Sequence, residues 1–193
     1  MCLGRLREKI VTRVYVLTNI PTPYRIPLFS ALASSRDFYV KVLFLAEREV
    51  GRSWVIPWER ARFDYTVLPG IHLRVLGLHL HINPGLPFVL LREKPDALVI
   101  GGYEAPTYWV ALLYAKLFGI RTVLWSGNTH LSTRARKGPI AALKRFFIQS
   151  VDAYVAYGSK AADFLEELGA DREDIFVGCN TVDLSKFEKL VAQ

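Results

Sequence analysis

Residues 97–125 read ALVIGGYEAPTYWVALLYAKLFGIRTVLW, and their pattern determines the fold class. The first four residues form a short apolar run that ends at a Gly-Gly pair, as expected for a buried strand. Residues 106–118 repeat apolar side chains at helical spacing, between Pro106 and Gly119 as start and stop signals. Residues 122–125 form a second apolar run. Two such strands joined by a helix predict a parallel sheet that is covered on both faces.

The same alternation continues on both sides of this unit. Strand-like runs at residues 14–19 and 38–45 flank a helix predicted over 24–33. The further predicted elements are strands at 65–68, 73–80, 153–156 and 175–177, and helices at 86–92, 139–151 and 160–168. The sequence therefore predicts an α/β, Rossmann-like, doubly wound and mostly parallel sheet, with no repeat and no internal linker.

Composition excludes several classes of protein. Of 193 residues, 51% are hydrophobic and 22% charged, which excludes a disordered or fibrous chain. Apolar stretches break before the roughly 18 to 20 residues that a membrane span needs, and the amino terminus lacks a secretory h-region. Cys2 and Cys179 lie far apart without ligand spacing, so we expect free thiols and no metal site. A cytoplasmic location is expected, and scarce Asn, Gln, Cys and Met beside abundant Arg and Lys resemble a thermophile composition.

The positive charge is concentrated in one segment. The net charge is +7, and residues 121–150 contain basic side chains but no Asp or Glu. Beyond Arg121, these side chains form what we call the basic patch: Arg134, Arg136, Lys137, Lys144 and Arg145. Such a cluster predicts an anionic partner, either a phosphorylated small molecule or an anionic lipid surface on the inner face of a membrane, or else a solvated face. No nucleic-acid motif is present, so we expect no nucleic-acid partner.

The helix predicted over residues 139–151 carries more apolar side chains than one face needs. Its predicted core stripe is Ile140, Leu143, Phe147 and Val151. Phe146 and Ile148 fall outside that stripe, next to the basic patch. A basic helix with spare apolar surface is typical of peripheral membrane contact, although a helix packed on two sides fits the pattern equally well.

The topology fixes where a ligand should bind. In open parallel sheets, ligands bind beyond the carboxyl ends of the strands, near helix N-termini. The loops at that edge are residues 19–25, 101–106, 126–130, 157–160 and 178–181. None of them contains a G-x-G-x-x-G or G-x-x-x-x-G-K-S/T motif, which argues against dinucleotide and P-loop chemistry.

Three segments carry a resemblance to a known family: NIPTPYRIPLF at residues 19–29, DAYVAYGSKA at 152–161 and IFVGCNTVDLSKF at 175–187. They resemble the corresponding segments of a subgroup of the family-four glycosyltransferases. The resemblance implies a GT-B architecture, in which two Rossmann-like domains face a cleft. Residues 1–180 correspond to the amino-terminal, acceptor-side domain, and 181–193 to the start of the crossover to a donor-binding domain.

The resemblance also implies an activity. The family transfers a sugar from a nucleotide-sugar donor to a saccharide or lipid-linked acceptor, with retention of configuration and without a metal or cofactor. A first domain alone would be inactive, because most donor contacts belong to the second. Two alternatives stay open: half of a GT-B-like sugar-nucleotide epimerase, and a stand-alone domain that binds anions or lipids.

The candidate site residues follow from the loops and the resemblance. The resemblance implies that Asn19, Tyr24 and Arg25 approach the donor diphosphate, where the Arg25 guanidinium suits two-pronged phosphate binding; a surface role for Arg25 is equally open. The other candidates for donor or acceptor binding are Gly101, Gly102 and Asn128.

Two residues are candidates for a catalytic role. His130 lies near the position where relatives carry a functional His, and it either binds an acceptor hydroxyl or is merely exposed. Glu104 follows a strand end, where its carboxylate either binds sugar hydroxyls or favours the helix dipole.

Overall fold

The structure, a computed structural model, describes residues 11–52, 54–75, 78–132 and 137–178. Its strands are β1 (Thr12–Thr18), β2 (Phe38–Phe44), β3 (Asp64–Val67), β4 (Ile71–Val75), β5 (Leu78–Ile82), β6 (Ala97–Ile100), β7 (Arg121–Ser126), β8 (Ala153–Ala156) and β9 (Ile175–Val177). Its α-helices are α1 (Arg25–Ala33), α2 (Leu86–Glu93), α3 (Pro106–Phe118), α4 (Pro139–Ser150) and α5 (Ser159–Glu167).

Seven strands form one sheet in the order β3-β2-β1-β6-β7-β8-β9, and every neighbouring pair is parallel. The predicted Rossmann-like, doubly wound sheet is confirmed. The chain runs outward from β1 to β3 and then returns to the other side of β1 with β6. This reversal of strand order opens a crevice at the carboxyl ends of β1 and β6, the usual ligand site of such sheets.

Apolar side chains fill both faces of the sheet. On one face, α2 to α5 pack on the strands through side chains such as Leu90 and Ala111, which are fully buried. On the other face, the buried Phe29 of α1 meets the rings of Phe44 and Trp125 edge-on. The two packed faces fix the carboxyl edge of the sheet, and hence the loops that form the site.

The strand predicted over residues 73–80 is wrong. The structure has an antiparallel hairpin of β4 and β5 instead, with His72 opposite His81 and Arg74 opposite His79. Residues 76–77, between the two strands, lie outside the described residues. One long strand and two short antiparallel strands share the same period of two, so the apolar pattern alone does not distinguish them.

The core face predicted for α4 is partly wrong: Phe147 and Val151 are buried as predicted, but the other two residues of the stripe are not. Ile140 and Leu143 are 68% and 53% exposed, whereas Lys144, Phe147 and Ile148 are buried. The apolar residues of this helix satisfy the helical spacing on two different faces, and packing selected the face that contains Lys144. Because Ile148 is fully buried, it offers no surface for membrane insertion.

The basic patch is smaller than predicted. Lys144 is buried, its ammonium lies 5.5 Å from the ring centroid of Phe164, and burial lowers its pKa. Lys137 and Arg145 are exposed, whereas Arg134 and Arg136 lie outside the described residues, as do residues 179–193. Among the described residues, no helix is long and apolar enough to cross a membrane.

Candidate functional site

A cavity of about 460 Å³ opens at the carboxyl ends of β1, β6, β7 and β8. Six predicted residues line it: Asn19, Arg25, Gly101, Gly102, Glu104 and Asn128. Ten lining residues were not predicted as site residues: Glu49, Arg52, His79, His81, Ala105, Tyr108, Trp125, Ser126, Gly127 and Tyr157. The sheet topology therefore predicted where the cavity lies, but most of the side chains that give it chemical character were not predicted.

Arg25, the first residue of α1, forms a cationic wall of the cavity. Its guanidinium donates hydrogen bonds to Thr18 Oγ1 at 3.0 Å and to Tyr157 Oη at 2.6 Å. It also lies 4.8 Å from the ring centroid of Trp125, within cation–π distance. The buried Nε has no hydrogen-bond partner among the described residues. A guanidinium fixed in this way attracts an anion such as phosphate.

Tyr157 supplies a neutral donor beside that cation. Burial raises its pKa, against the opposing effect of Arg25, so the phenol stays protonated at neutral pH. Since its oxygen accepts a hydrogen bond from Arg25, its own proton is left to donate to a ligand. Gly127 makes room for this ring, because a Cβ there would overlap it.

Glu104 and Asn128 form a polar group at the cavity rim. Asn128 Nδ2 donates to Glu104 Oε1 at 3.2 Å and to Tyr103 Oη at 2.9 Å. Glu104 Oε2 accepts from the backbone N–H of Tyr103 at 3.0 Å. A Cβ at Gly102 would overlap this carboxylate. The rim therefore presents a carboxylate and an amide, groups suited to polar ligands such as sugars.

Glu49 lies in the loop after β2, and sequence reasoning missed it. Its side chain is only 3% exposed. Oε1 accepts hydrogen bonds from Asn19 Nδ2 at 3.3 Å and from His81 Nε2 at 2.9 Å. Burial raises the pKa of this carboxyl, but the His81 hydrogen bond and the Arg52 charge outweigh it and lower the pKa overall. Glu49 is therefore an ionised carboxylate in the cavity wall.

The β4–β5 hairpin carries the histidines that hold Glu49. His81 is buried, and its Nδ1 lies 3.0 Å from Nδ1 of His72. Burial and the neighbouring His81 lower the pKa of His72, which favours its neutral form. His81 donates from Nε2 to the Glu49 carboxylate, and its Nδ1 shares one hydrogen bond with Nδ1 of His72. Glu49 and His81 are 32 residues apart, and no spacing rule connects them in the sequence.

Two predicted residues lie outside the cavity lining. His130 Nε2 is 2.7 Å from Glu167 Oε1 on α5, and its ring packs edge-on against Phe164. Tyr24 is 38% exposed and packs edge-on against Trp54. Tyr24 nevertheless lies beside Arg25, whose guanidinium is 5.9 Å from the Tyr24 ring centroid, whereas His130 does not line the cavity. Among the described residues, no cluster of His, Cys, Asp and Glu could hold a metal ion.

The fold is similar to that of several solved structures. UDP-GlcNAc 2-epimerase from Neisseria meningitidis, solved bound to UDP-GlcNAc, has 16% identity and a TM-score of 0.58 over 93% of this chain and 50% of that chain. The epimerase from Rickettsia bellii has 12% identity and a TM-score of 0.57 over 94% and 48%. HepE from Anabaena, in complex with UDP and glucose, has 12% identity and a TM-score of 0.59 over 94% and 50%.

These identities support a shared fold and nothing finer. The chain is α/β with the Rossmann-like architecture of one half of a GT-B protein, and it spans about half the length of these solved chains. No protein-family model matches the chain, and no curated protein matches it in sequence.

Proposed function

We propose that the chain is the amino-terminal half of a two-domain enzyme that acts on a nucleotide-sugar. The observation that carries this proposal is Arg25, a guanidinium held at the crevice by Thr18 and Tyr157 with a buried Nε left unpartnered. Phosphate oxygens suit this donor geometry. Beside it, Glu49 and Glu104 add carboxylates that can accept hydrogen bonds from hydroxyl groups. A cation next to hydroxyl-binding groups suits a sugar attached to a diphosphate.

Among the reactions that this ligand allows, the comparisons favour epimerisation. Two of the three similar structures reported above are UDP-GlcNAc 2-epimerases. The proposed reaction inverts one carbon of the sugar while the nucleotide holds the substrate in place. The substrate class, the reaction and the contribution of a second domain are all part of this proposal.

Glycosyl transfer is the second candidate, because residues 19–29 carry the Pro-Tyr-Arg motif of family-four transferases. In that reaction the cavity would hold a saccharide or lipid-linked acceptor next to the donor diphosphate. Arg25 would then stabilise the leaving phosphate, whose negative charge grows as the glycosidic bond breaks.

One experiment separates the two reactions. The full product of the gene that encodes this chain is incubated with UDP-GlcNAc, with and without saccharide acceptors, and proton NMR follows the sugar. An epimerase produces a second anomeric signal without acceptor, whereas a transferase releases UDP in proportion to added acceptor. Failure of UDP-, ADP- and GDP-sugars and of their free nucleotides to bind would refute both candidates.

A peripheral membrane contact through α4 also stays a proposal. Its support is now Ile140, Leu143 and Phe146, which are 68%, 53% and 63% exposed, next to exposed Lys137 and Arg145. Apolar groups flanked by cations suit the interface of an anionic bilayer. This surface is relevant to a lipid-linked acceptor on the inner face of the membrane, and it has no role in epimerisation.

A further inference from the structure

We propose that Glu49 is the sugar-recognition residue of the cavity, and that its Oε2 accepts a hydrogen bond from one hydroxyl group of the bound sugar. The inference rests on the proposed function, because it assigns the sugar subsite of the same cavity. The resemblance to glycosyltransferases does not include residue 49, and the inference follows from contacts of the described side chains.

One carboxylate oxygen of Glu49 lacks a hydrogen bond. The side chain of Glu49 is only 3% exposed, and it lines the cavity. Oε1 accepts from Asn19 and His81, but Oε2 has no hydrogen-bond partner among the described residues. The Arg52 guanidinium lies 3.1 Å from Oε2 and forms an ion pair with it, but its N–H groups do not form a hydrogen bond to this oxygen. The Arg52 charge compensates that of the buried carboxylate, but Oε2 keeps an unused hydrogen-bond acceptor, and native proteins usually satisfy such atoms.

The Glu49 carboxylate is held in one orientation. Asn19 fixes it from the end of β1 and His81 from the β4–β5 hairpin, while His72 supports His81 from the opposite strand. A rigid acceptor of this kind suits ligand recognition, because a ligand hydrogen bond gains specificity only if its partner is preorganised.

Access to Oε2 depends on Arg52. Its guanidinium lies 3.1 Å from Oε2, and its side chain is 43% exposed and lines the cavity. An exposed side chain can shift slightly and let a hydroxyl group enter between the two ions. A sugar hydroxyl both donates and accepts, so it can donate to Oε2 and accept from Arg52 at once. Phosphate is a poor occupant of this position, because two anions would meet there.

The test compares a ligand with a sugar and one without. Isothermal titration calorimetry with the full gene product measures the Kd of UDP and of UDP-GlcNAc. Glu49→Gln keeps the shape but replaces the free acceptor by an amide donor. We expect UDP-GlcNAc binding to weaken about 10- to 100-fold, the usual range for a charged hydrogen bond, and UDP binding to change less than about twofold. Glu47→Gln, an exposed Glu in the same loop, is the matched control.

A second measurement does not depend on any variant folding. Wild-type protein is titrated with UDP-sugars that each lack one hydroxyl group. One of these analogues should lose about 10- to 100-fold in affinity, and Glu49→Gln should be insensitive to the loss of that same hydroxyl. His81→Gln, as the positioning residue, should reproduce the selective loss for UDP-GlcNAc with a smaller magnitude.

The results that overturn the inference differ from those that overturn the proposed function. Equal weakening of UDP and UDP-GlcNAc in Glu49→Gln, or no deoxy analogue with reduced affinity, refutes sugar recognition by Glu49. If the wild-type protein does not bind UDP, the proposed uridine nucleotide is refuted as a ligand. In that case NMR titration with free glucose and N-acetylglucosamine tests Glu49: shifts that disappear in Glu49→Gln support the inference, and shifts that persist, or no shifts at all, overturn it.

Discussion

Replacing Arg25 by Gln is the sharpest test of the phosphate site. The substitution removes the charge, the hydrogen bonds to Thr18 Oγ1 at 3.0 Å and Tyr157 Oη at 2.6 Å, and the stacking over Trp125. The loss separates into a structural part, from the contacts that exist without ligand, and a ligand part, from the contacts that the guanidinium makes with phosphate.

The structural part is modest. Hydrogen bonds contribute about 1 kcal/mol each, and Gln retains some capacity to bond, so we expect a loss of roughly 1 to 2 kcal/mol. For a domain of 150 to 250 residues, 1 kcal/mol shifts the Tm by about 2 to 4 °C, so the Tm should fall by less than about 8 °C. The folded state should therefore remain populated at 25 °C.

The ligand part is larger and specific to the diphosphate. Charged hydrogen bonds contribute about 1.5 to 3 kcal/mol, which corresponds to roughly a 10- to 100-fold increase in the Kd of UDP. Calorimetry measures the Kd, and differential scanning fluorimetry measures the Tm. Arg25→Lys keeps the charge but not the planar fork, and it should fall between wild type and Gln. An unchanged Kd for UDP together with a large drop in Tm would identify Arg25 as a structural residue and refute the reasoning.

Three further changes test other parts of the structure. The lowered pKa of His72 means that the folded state binds fewer protons than the unfolded state, so stability should fall as pH drops below the ordinary value of 6.5. Urea titrations measure the free energy of unfolding, and in His72→Gln this free energy should fall less between about pH 7 and 5 than in the wild type. An equal fall in both proteins contradicts the assignment of the pH dependence to His72. Gly127→Ala should displace the Tyr157 ring and weaken UDP binding about tenfold. Because both changes act through the same ring, the double variant with Tyr157→Ala should bind UDP no more weakly than Tyr157→Ala alone. Replacing Leu143 and Phe146 by Ser should remove the vesicle binding that persists at high salt, and unchanged sedimentation with anionic vesicles would exclude α4 as the contact.

Sequence periodicity predicted the sheet well because its signals are local. The bounds of α3 match the prediction, since Pro106 starts the helix and Gly119, at φ 66°, ends it in the left-handed conformation that glycine adopts readily. The strands β6, β8 and β9 also match their predicted ranges. Each of these elements is a short apolar run between strong stop signals, so nothing distant in the chain needed to be known.

The errors arise where two arrangements share one pattern. On α4, Lys144 occupies the core face while Ile140 is exposed, because packing against α5 and the sheet selects the face, and the long aliphatic stem of Lys tolerates burial. In the cavity, Arg25 was predictable from a loop motif, whereas Glu49 and His81 meet only because the β4–β5 hairpin folds over the loop after β2. Contacts between distant segments depend on tertiary structure, which periodicity does not encode.

A continuous chain of hydrogen bonds joins the two proposed subsites of the cavity. Arg25 donates to Thr18 Oγ1 at 3.0 Å, Thr18 donates to Asn19 Oδ1 at 3.4 Å, and Asn19 donates to Glu49 Oε1 at 3.3 Å. The end of β1 therefore holds Arg25, the cation of the proposed phosphate subsite, and Glu49, the carboxylate of the proposed sugar subsite, in a fixed relation. If both proposals hold, a ligand that satisfies both residues must carry an anion and a hydroxyl group on one framework. A free phosphate or a free sugar would satisfy only one of them, so the proposed site would select for a compound that contains both.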